Sequence, residues 1–263
     1  MTYNSLFDKI LKGDPSFRKD LVQQQYFGSL ENVLSEIEEN LISSKPYNIN
    51  LALHPPRIIR AVIDYKIENP FQKEPEILLR EAIQLGLDVY KGNSNVIEEI
   101  KQLKENIEKN NDELLKKTLE QPIDKLSWDA TNPKLSKRTA DELIKETKGQ
   151  EILYIALAHG GIAAGMDSFL RYCDKTNNYD SSFYVSRFSM QKLKDLKPQL
   201  TNTEIEYLQK LAIRKRVVIF DEDSYSGTTL DEANYFFKTE VFPNKTIINA
   251  VNSDARINNI KFL

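Results

Sequence analysis

The sequence predicts an α/β domain built on a doubly wound parallel sheet, residues 136–263, preceded by an all-α domain, residues 1–135. Three observations carry this. Short apolar runs in the second half alternate with helical patterns, and that alternation builds a parallel sheet with helices on both faces. One such run, Val217 to Phe220, passes directly into Asp221, Glu222 and Asp223 and then into Ser224-Tyr225-Ser226-Gly227-Thr228-Thr229. Polar chemistry therefore sits at the carboxyl end of a buried strand, where open α/β sheets bind ligands. The first half instead repeats its apolar residues at three- and four-residue spacing, the period of amphipathic helices.

From the N-terminus, Leu30, Val33, Leu34, Ile37 and Leu41 give one apolar face to a helix over 29–42. His54-Pro55-Pro56 reads as an interruption, with His54 in a loop or cap. A new helix then starts on the prolines, whose fixed φ and missing N–H suit a first turn. Ile58, Ile59, Val62 and Ile63 are its buried side, and Pro70 stops it. Pro75 opens the next helix, which carries Ile77, Leu78, Ala82, Ile83 and Leu85. A charged helix is expected over 94–120, with Val96, Ile100, Leu103, Ile107 and Leu114 in a heptad-like seam and Asn110 within it. Such a seam pairs with a second copy of the chain, giving a homodimer, or with a helix of the same domain. Three heptads is the lower edge for a coiled coil, which favours the intramolecular partner. Residues 121–136, with two prolines and the sole tryptophan, Trp128, read as a linker. Thr139-x-x-Glu142 is a capping-box pattern for a helix over 140–148 that Gly149 closes.

The second half then reads strand (151–159), helix (162–172), strand (183–189) and a helix opened by the capping box Thr201-x-x-Glu204. The acid-tipped strand from Val217, a helix over 228–238 and a last strand over 246–252 complete the order.

Composition narrows the function classes. A 263-residue chain with 40% apolar and 29% charged residues has the make-up of a soluble globular protein. A net charge of −3 gives no reason to expect nucleic acid or an acidic membrane as partner. One cysteine forbids an internal disulfide, and one cysteine with two histidines disfavours a zinc site. The first residues do not read as a secretory-type leader and no run approaches the ~20 apolar residues of a membrane span; a reducing, cytoplasmic setting is the expectation.

The chemistry concentrates in residues 216–230. Hydroxyls and backbone N–H groups of Ser226, Gly227, Thr228 and Thr229 at a helix N-terminus form an anion cradle. Asp221, Glu222 and Asp223 beside it would repel that anion. A sugar whose hydroxyls donate to the carboxylates, a divalent cation, or both, reconciles the two halves. A phosphorylated ribose with Mg2+ fits. An ordinary strand–turn–helix whose acids cap the helix is the bland alternative. Asp221-x-Asp223 also resembles the first motif of haloacid-dehalogenase-type phosphatases, although few residues follow for the βα units that family needs.

The segment VVIFDEDSYSGTTL resembles the signature of the type I phosphoribosyltransferases: an apolar strand, two adjacent acids, a short loop, a Ser/Thr-Gly pair and a further Thr. The resemblance implies that Asp221 and Glu222 contact the ribose hydroxyls of phosphoribosyl pyrophosphate (PRPP) and orient Mg2+. It implies that Ser224, Tyr225, Ser226, Gly227, Thr228 and Thr229 wrap the 5-phosphate. The family's pyrophosphate loop falls on His159, Gly160 and Gly161, with His159 in place of an Arg or Lys. Its mobile loop falls on residues 190–200, where Lys192, Lys194 and Lys197 are placed to neutralise pyrophosphate; three solvated lysines are the alternative. Arg187 either contacts phosphate, the reading preferred, or pairs with the acid cluster. The implied reaction displaces pyrophosphate from C1 of PRPP by a small-molecule acceptor, usually a base nitrogen. Tyr225 stands where the 6-oxopurine enzymes carry an acid, which disfavours hypoxanthine or guanine. Few residues follow the last strand, so the N-terminal helices are expected to supply the acceptor hood. A PRPP- or nucleotide-sensing module without turnover is the second hypothesis.

Overall fold

Residues 3, 5–13, 25–43, 49–121, 130–190, 193–224 and 227–254 are described by the computed structural model. The chain separates into two units, one within Tyr3–Asp129 and one within Ala130–Leu263.

The first unit contains α1 (Leu6–Gly13), β1 (Tyr26–Ser29), α2 (Leu30–Ile42), α3 (Ile49–Glu68), α4 (Glu74–Lys91), α5 (Val96–Asn111), the single turn α6 (Glu113–Lys116) and β2 (Thr118–Gln121). α2 begins where the spacing predicts: Ser29 and Asn32 cap each other reciprocally, and Leu30, Val33, Leu34 and Ile37 are buried. α4 takes Pro75 in its first turn and ends on Gly92 at φ +72°, a conformation that glycine adopts without strain. Ile77 on this helix is an exposed apolar residue, whereas Leu78, Ala82, Ile83 and Leu85 are buried.

Two expectations fail in this unit. The prolines do not start a helix; α3 runs through both, and His54 is fully buried within it. Pro56 has no N–H for the carbonyl four residues back, Ala52 O. That oxygen accepts instead from the buried Tyr90 hydroxyl at 2.7 Å, so a tertiary partner replaces the missing helical bond. His54 Nε2 lies 2.8 Å from Glu36 Oε2, and Arg57 Nη1 lies 2.9 Å from His54 Nδ1. Because a guanidinium only donates, Nδ1 is the acceptor and Nε2 carries the proton. Burial, ahead of all other influences, lowers the His54 pKa to about 4. The unit is also not all-α. The helix expected to reach residue 120 stops at Asn111, and β2 pairs antiparallel with β1, from Tyr26↔Gln121 to Ser29↔Thr118. Val96, Ile100, Leu103 and Ile107 are buried, with α5 packed on α4 and α2. The heptad seam thus has its partner inside its own unit.

The second unit holds α7 (Pro133–Thr147), β3 (Ile152–Ala158), α8 (Gly161–Thr176), β4 (Ser182–Arg187), α9 (Asn202–Leu211), β5 (Arg216–Ser224), α10 (Thr228–Phe236) with a π-turn to Val241, and β6 (Ile247–Asp254). α7 starts at Pro133, capped by the Asn132 side chain, inside the stretch read as a linker; Trp128 lies outside the described residues. Thr139 is therefore no cap. Its hydroxyl donates to Val251 O (3.2 Å) and Asn252 Oδ1 (2.7 Å), pinning α7 to β6. The Thr201/Glu204 capping box at the start of α9 forms as predicted.

Four parallel strands make one sheet in the order β4-β3-β5-β6. Successive side chains of a strand point to opposite faces. Phe183 packs with Phe169 of α8, while its neighbour Tyr184 packs with Tyr207 of α9, so helices cover both faces. On the α8 face, Phe169, Phe183 and Phe220 gather around Tyr154, with Tyr154–Phe220 centroids 5.5 Å apart. α8 approaches closely because Gly165 faces Ala156: a Cβ there would lie 2.9 Å from Ala156 Cβ and 3.3 Å from Phe220 Cδ1. Among the described residues no helix is long and apolar enough to cross a membrane.

Candidate functional site

The chain leaves β3 for β4 on one side and returns with β5 on the other, making the β3/β5 boundary the switch point of the sheet. The registers open a gap there. β3–β5 pairing ends at Ala156↔Phe220, whereas β5–β6 pairing continues through Asp221↔Val251 to Ser224↔Asp254. β3 itself stays paired with β4 as far as Ala158↔Arg187. The residues that follow β3, His159-Gly160-Gly161, therefore emerge between Arg187 and the acids of β5.

Strand alternation puts Glu222 on the same face as Phe220, toward α8, while the strand-end carboxyl groups of Asp221 and Glu222 remain within reach of each other. The Glu222 carboxylate lies directly on Gly160: a Cβ at that residue would be 1.6 Å from Glu222 Oε1 and 2.3 Å from its Cδ. At Gly161 a Cβ would be 3.6 Å from Glu222 Oε2. Two motifs about sixty residues apart in sequence thus meet in one corner, and only glycine at 160 permits the contact. The Ala158–His159 peptide leading into it is cis.

Asp221 accepts from the Glu222 backbone N–H at 3.1 Å. Burial first, and then the adjacent Glu222 carboxylate, raise the Asp221 pKa well above the ordinary carboxylate range; Asp223 adds to the rise. Desolvation and like charge both disfavour the ionised form, and both would be relieved by a cation. Two adjacent carboxylates are hard oxygen donors of the kind Mg2+ takes, with the rest of its shell from water and substrate phosphate. The donor set therefore fits Mg2+ shared with a ligand. No group of three or more His, Cys, Asp or Glu side chains among the described residues is placed to hold a metal without one.

After β5, Gly227 caps α10 at φ +80°, which a side chain would strain. Thr228 and Thr229 form the first turn of that helix, exposed and partly exposed respectively. Ser224 ends β5, while Tyr225 and Ser226 lie outside the described residues.

On the other flank, Arg187 Nη2 lies 2.9 Å from Asp195 Oδ1, whose other oxygen accepts from Ser189 N at 3.0 Å. Arg187 thus pairs with the loop after β4, a partner that neither sequence reading named. Asp195 is buried, and an acid eight residues beyond a strand-end arginine carries no local signal of that role. Gln199 N donates to Arg187 O at 2.9 Å, folding the loop back on the strand end. Lys194 is exposed, at φ +57°. Lys197 Nζ stands 6.0 Å from the centroid of the Phe236 ring, and Lys192 lies outside the described residues.

Comparison with protein-family models, with curated proteins and with solved structures gives no match to this chain.

Proposed function

We propose that this chain binds PRPP with Mg2+ at the β3/β5 switch point and transfers its phosphoribosyl group to a small nitrogenous acceptor, releasing pyrophosphate. The observation that carries the reading is the meeting of Gly160 with Glu222. It brings a glycine corner at the N-terminus of α8 against the acids that precede a second glycine-led N-terminus, that of α10. Two anion-favouring helix ends flanking a pair of carboxylates match a ligand with phosphate at both ends and sugar hydroxyls between.

In this reading Asp221 and Glu222 accept from the ribose 2- and 3-hydroxyls and fix the sugar. Ser224 to Thr229 hold the 5-phosphate through hydroxyls and amides. His159, Gly160 and Gly161 receive the pyrophosphate, and Arg187, held by Asp195, stands on its β4 side. Mg2+, when bound by Asp221 and Glu222 together with ligand oxygens, offsets charge on the departing pyrophosphate. What the chain contributes is positioning and fixed charge around an oxocarbenium-like C1.

The test is pyrophosphate release from PRPP and Mg2+ across a panel of purine, pyrimidine and pyridine acceptors, run beside calorimetric titration of PRPP. Release with one acceptor class supports the transferase. Binding without release from any acceptor shifts the assignment to a PRPP sensor, and absence of binding removes both.

A further inference from the structure

Gly160 is the N-cap of α8, a sixteen-residue helix, and brings no side chain to cap it. The group that lies on that corner is the Glu222 carboxylate, which comes within 1.6 Å of where a Cβ would stand on Gly160. A carboxylate is favoured there for the same reason a phosphate is: the helix end carries partial positive charge. The sheet dictates the placement. β5 is released from β3 after Phe220 but held by β6, so Glu222 projects toward α8 just where the β3 loop turns.

A diphosphate seated on the Gly160–Gly161 backbone needs the volume that Glu222 Oε1 already fills, and two anions in that contact repel. We propose that Glu222 is a built-in occupant of the anion corner, displaced when a diphosphate-bearing ligand enters, so that one residue both holds the corner and contacts the sugar. This rests on the PRPP reading of the site and adds its regulation. Outside the corner, the carboxylate finds the ribose hydroxyls that its strand position assigns to it. Diphosphate alone must evict Glu222 with nothing in return, whereas PRPP offers those hydroxyls. The gate therefore selects ribose-linked diphosphate over free pyrophosphate.

The experiment titrates the full chain with sodium pyrophosphate without added divalent cation, and separately with PRPP plus Mg2+. The wild type is compared with Glu222→Ala, Glu222→Gln and Asp221→Asn. If the carboxylate fills the corner about nine-tenths of the time, removing it tightens pyrophosphate binding roughly tenfold. Glu222→Gln keeps the volume and gains less. Asp221→Asn removes the neighbouring charge without emptying the corner on Gly160, and it also gains less than Glu222→Ala. For PRPP the alanine variant gains less than for pyrophosphate, because the sugar contact is lost. Should Glu222→Ala bind pyrophosphate no more tightly than wild type while wild type binds PRPP, the occupant role is wrong and the PRPP reading stands. An equal gain in Asp221→Asn points to bulk repulsion and overturns the gate. Failure of the wild type to bind PRPP removes the reading itself, and the gate with it.

Discussion

Replacing Gly160 and Gly165 separately by alanine divides the role of the site from the role of the fold. At Gly160 the new methyl meets Glu222 Oε1 at 1.6 Å and Cδ at 2.3 Å. Those atoms end a flexible, partly exposed side chain, which turns away at a cost of about 1 kcal/mol. Gly160 already has helical dihedrals, φ −65° and ψ −39°, so alanine recovers about 0.4–1 kcal/mol by narrowing the unfolded ensemble. The net change in stability is close to zero. At Gly165 the methyl meets Ala156 Cβ at 2.9 Å, an atom fixed to a central strand that has nowhere to rotate. Overpacking of that kind costs about 1–3 kcal/mol, a loss of several degrees in melting temperature for a chain of this length. Thermal unfolding followed by circular dichroism, together with PRPP titration, reads both effects. The expected pattern is Gly160→Ala with wild-type melting and PRPP affinity down at least about tenfold, ~1.4 kcal/mol. Gly165→Ala is expected to melt early while binding PRPP normally at low temperature. If Gly160→Ala melts as early as Gly165→Ala, Glu222 is pinned and the argument from its mobility is wrong. If it binds PRPP as the wild type does, the corner is not part of the site.

Asp221 holds its proton more tightly folded than unfolded. Its stabilising contribution is therefore complete below the ordinary carboxylate pKa and is lost as pH rises through the folded value. Asp221→Asn should flatten that decline and raise stability at neutral pH by about 0.5–2 kcal/mol while weakening Mg2+-dependent PRPP binding. Urea midpoints near pH 4 and near pH 7 that move in parallel with wild type would contradict it. Tyr90→Phe leaves Ala52 O without its buried donor and should cost about 1–3 kcal/mol; an unchanged urea midpoint would mean that α3 absorbs Pro56 by another route. Thr139→Val removes the hydroxyl joining α7 to Asn252 and should cost about 1–2 kcal/mol. Thr139→Ser should restore most of it, and a serine variant no better than valine would show that the methyl, not the hydroxyl, matters. Asp195→Asn breaks the Arg187 ion pair. If Arg187 serves phosphate, KM for PRPP changes while the melting curve moves little, and a purely structural pair gives the reverse.

Local signals were legible in the sequence because the physics behind them is local. The apolar run of β5, the Ser29 start of α2, the Thr201/Glu204 cap and Pro75 in the first turn of α4 each depend on residues within one or two turns. The acids at the strand end and the glycine-led helix start after them depend on chain order alone. What only the tertiary structure decided involves partners far apart in sequence. β1 meets β2 across about ninety residues, and neither has an alternation strong enough to announce it. A helix passes through Pro55-Pro56 because Tyr90, on a different helix, takes the orphaned carbonyl. Thr139 has the sequence signature of a cap because a Thr-x-x-Glu spacing is the same whether the threonine opens a helix or sits inside one facing β6. Gly160 and Glu222 illustrate the division most sharply. Chain order places each at the end of its own strand, but their contact exists only because β3 and β5 are neighbours whose pairing stops one residue before the acids begin.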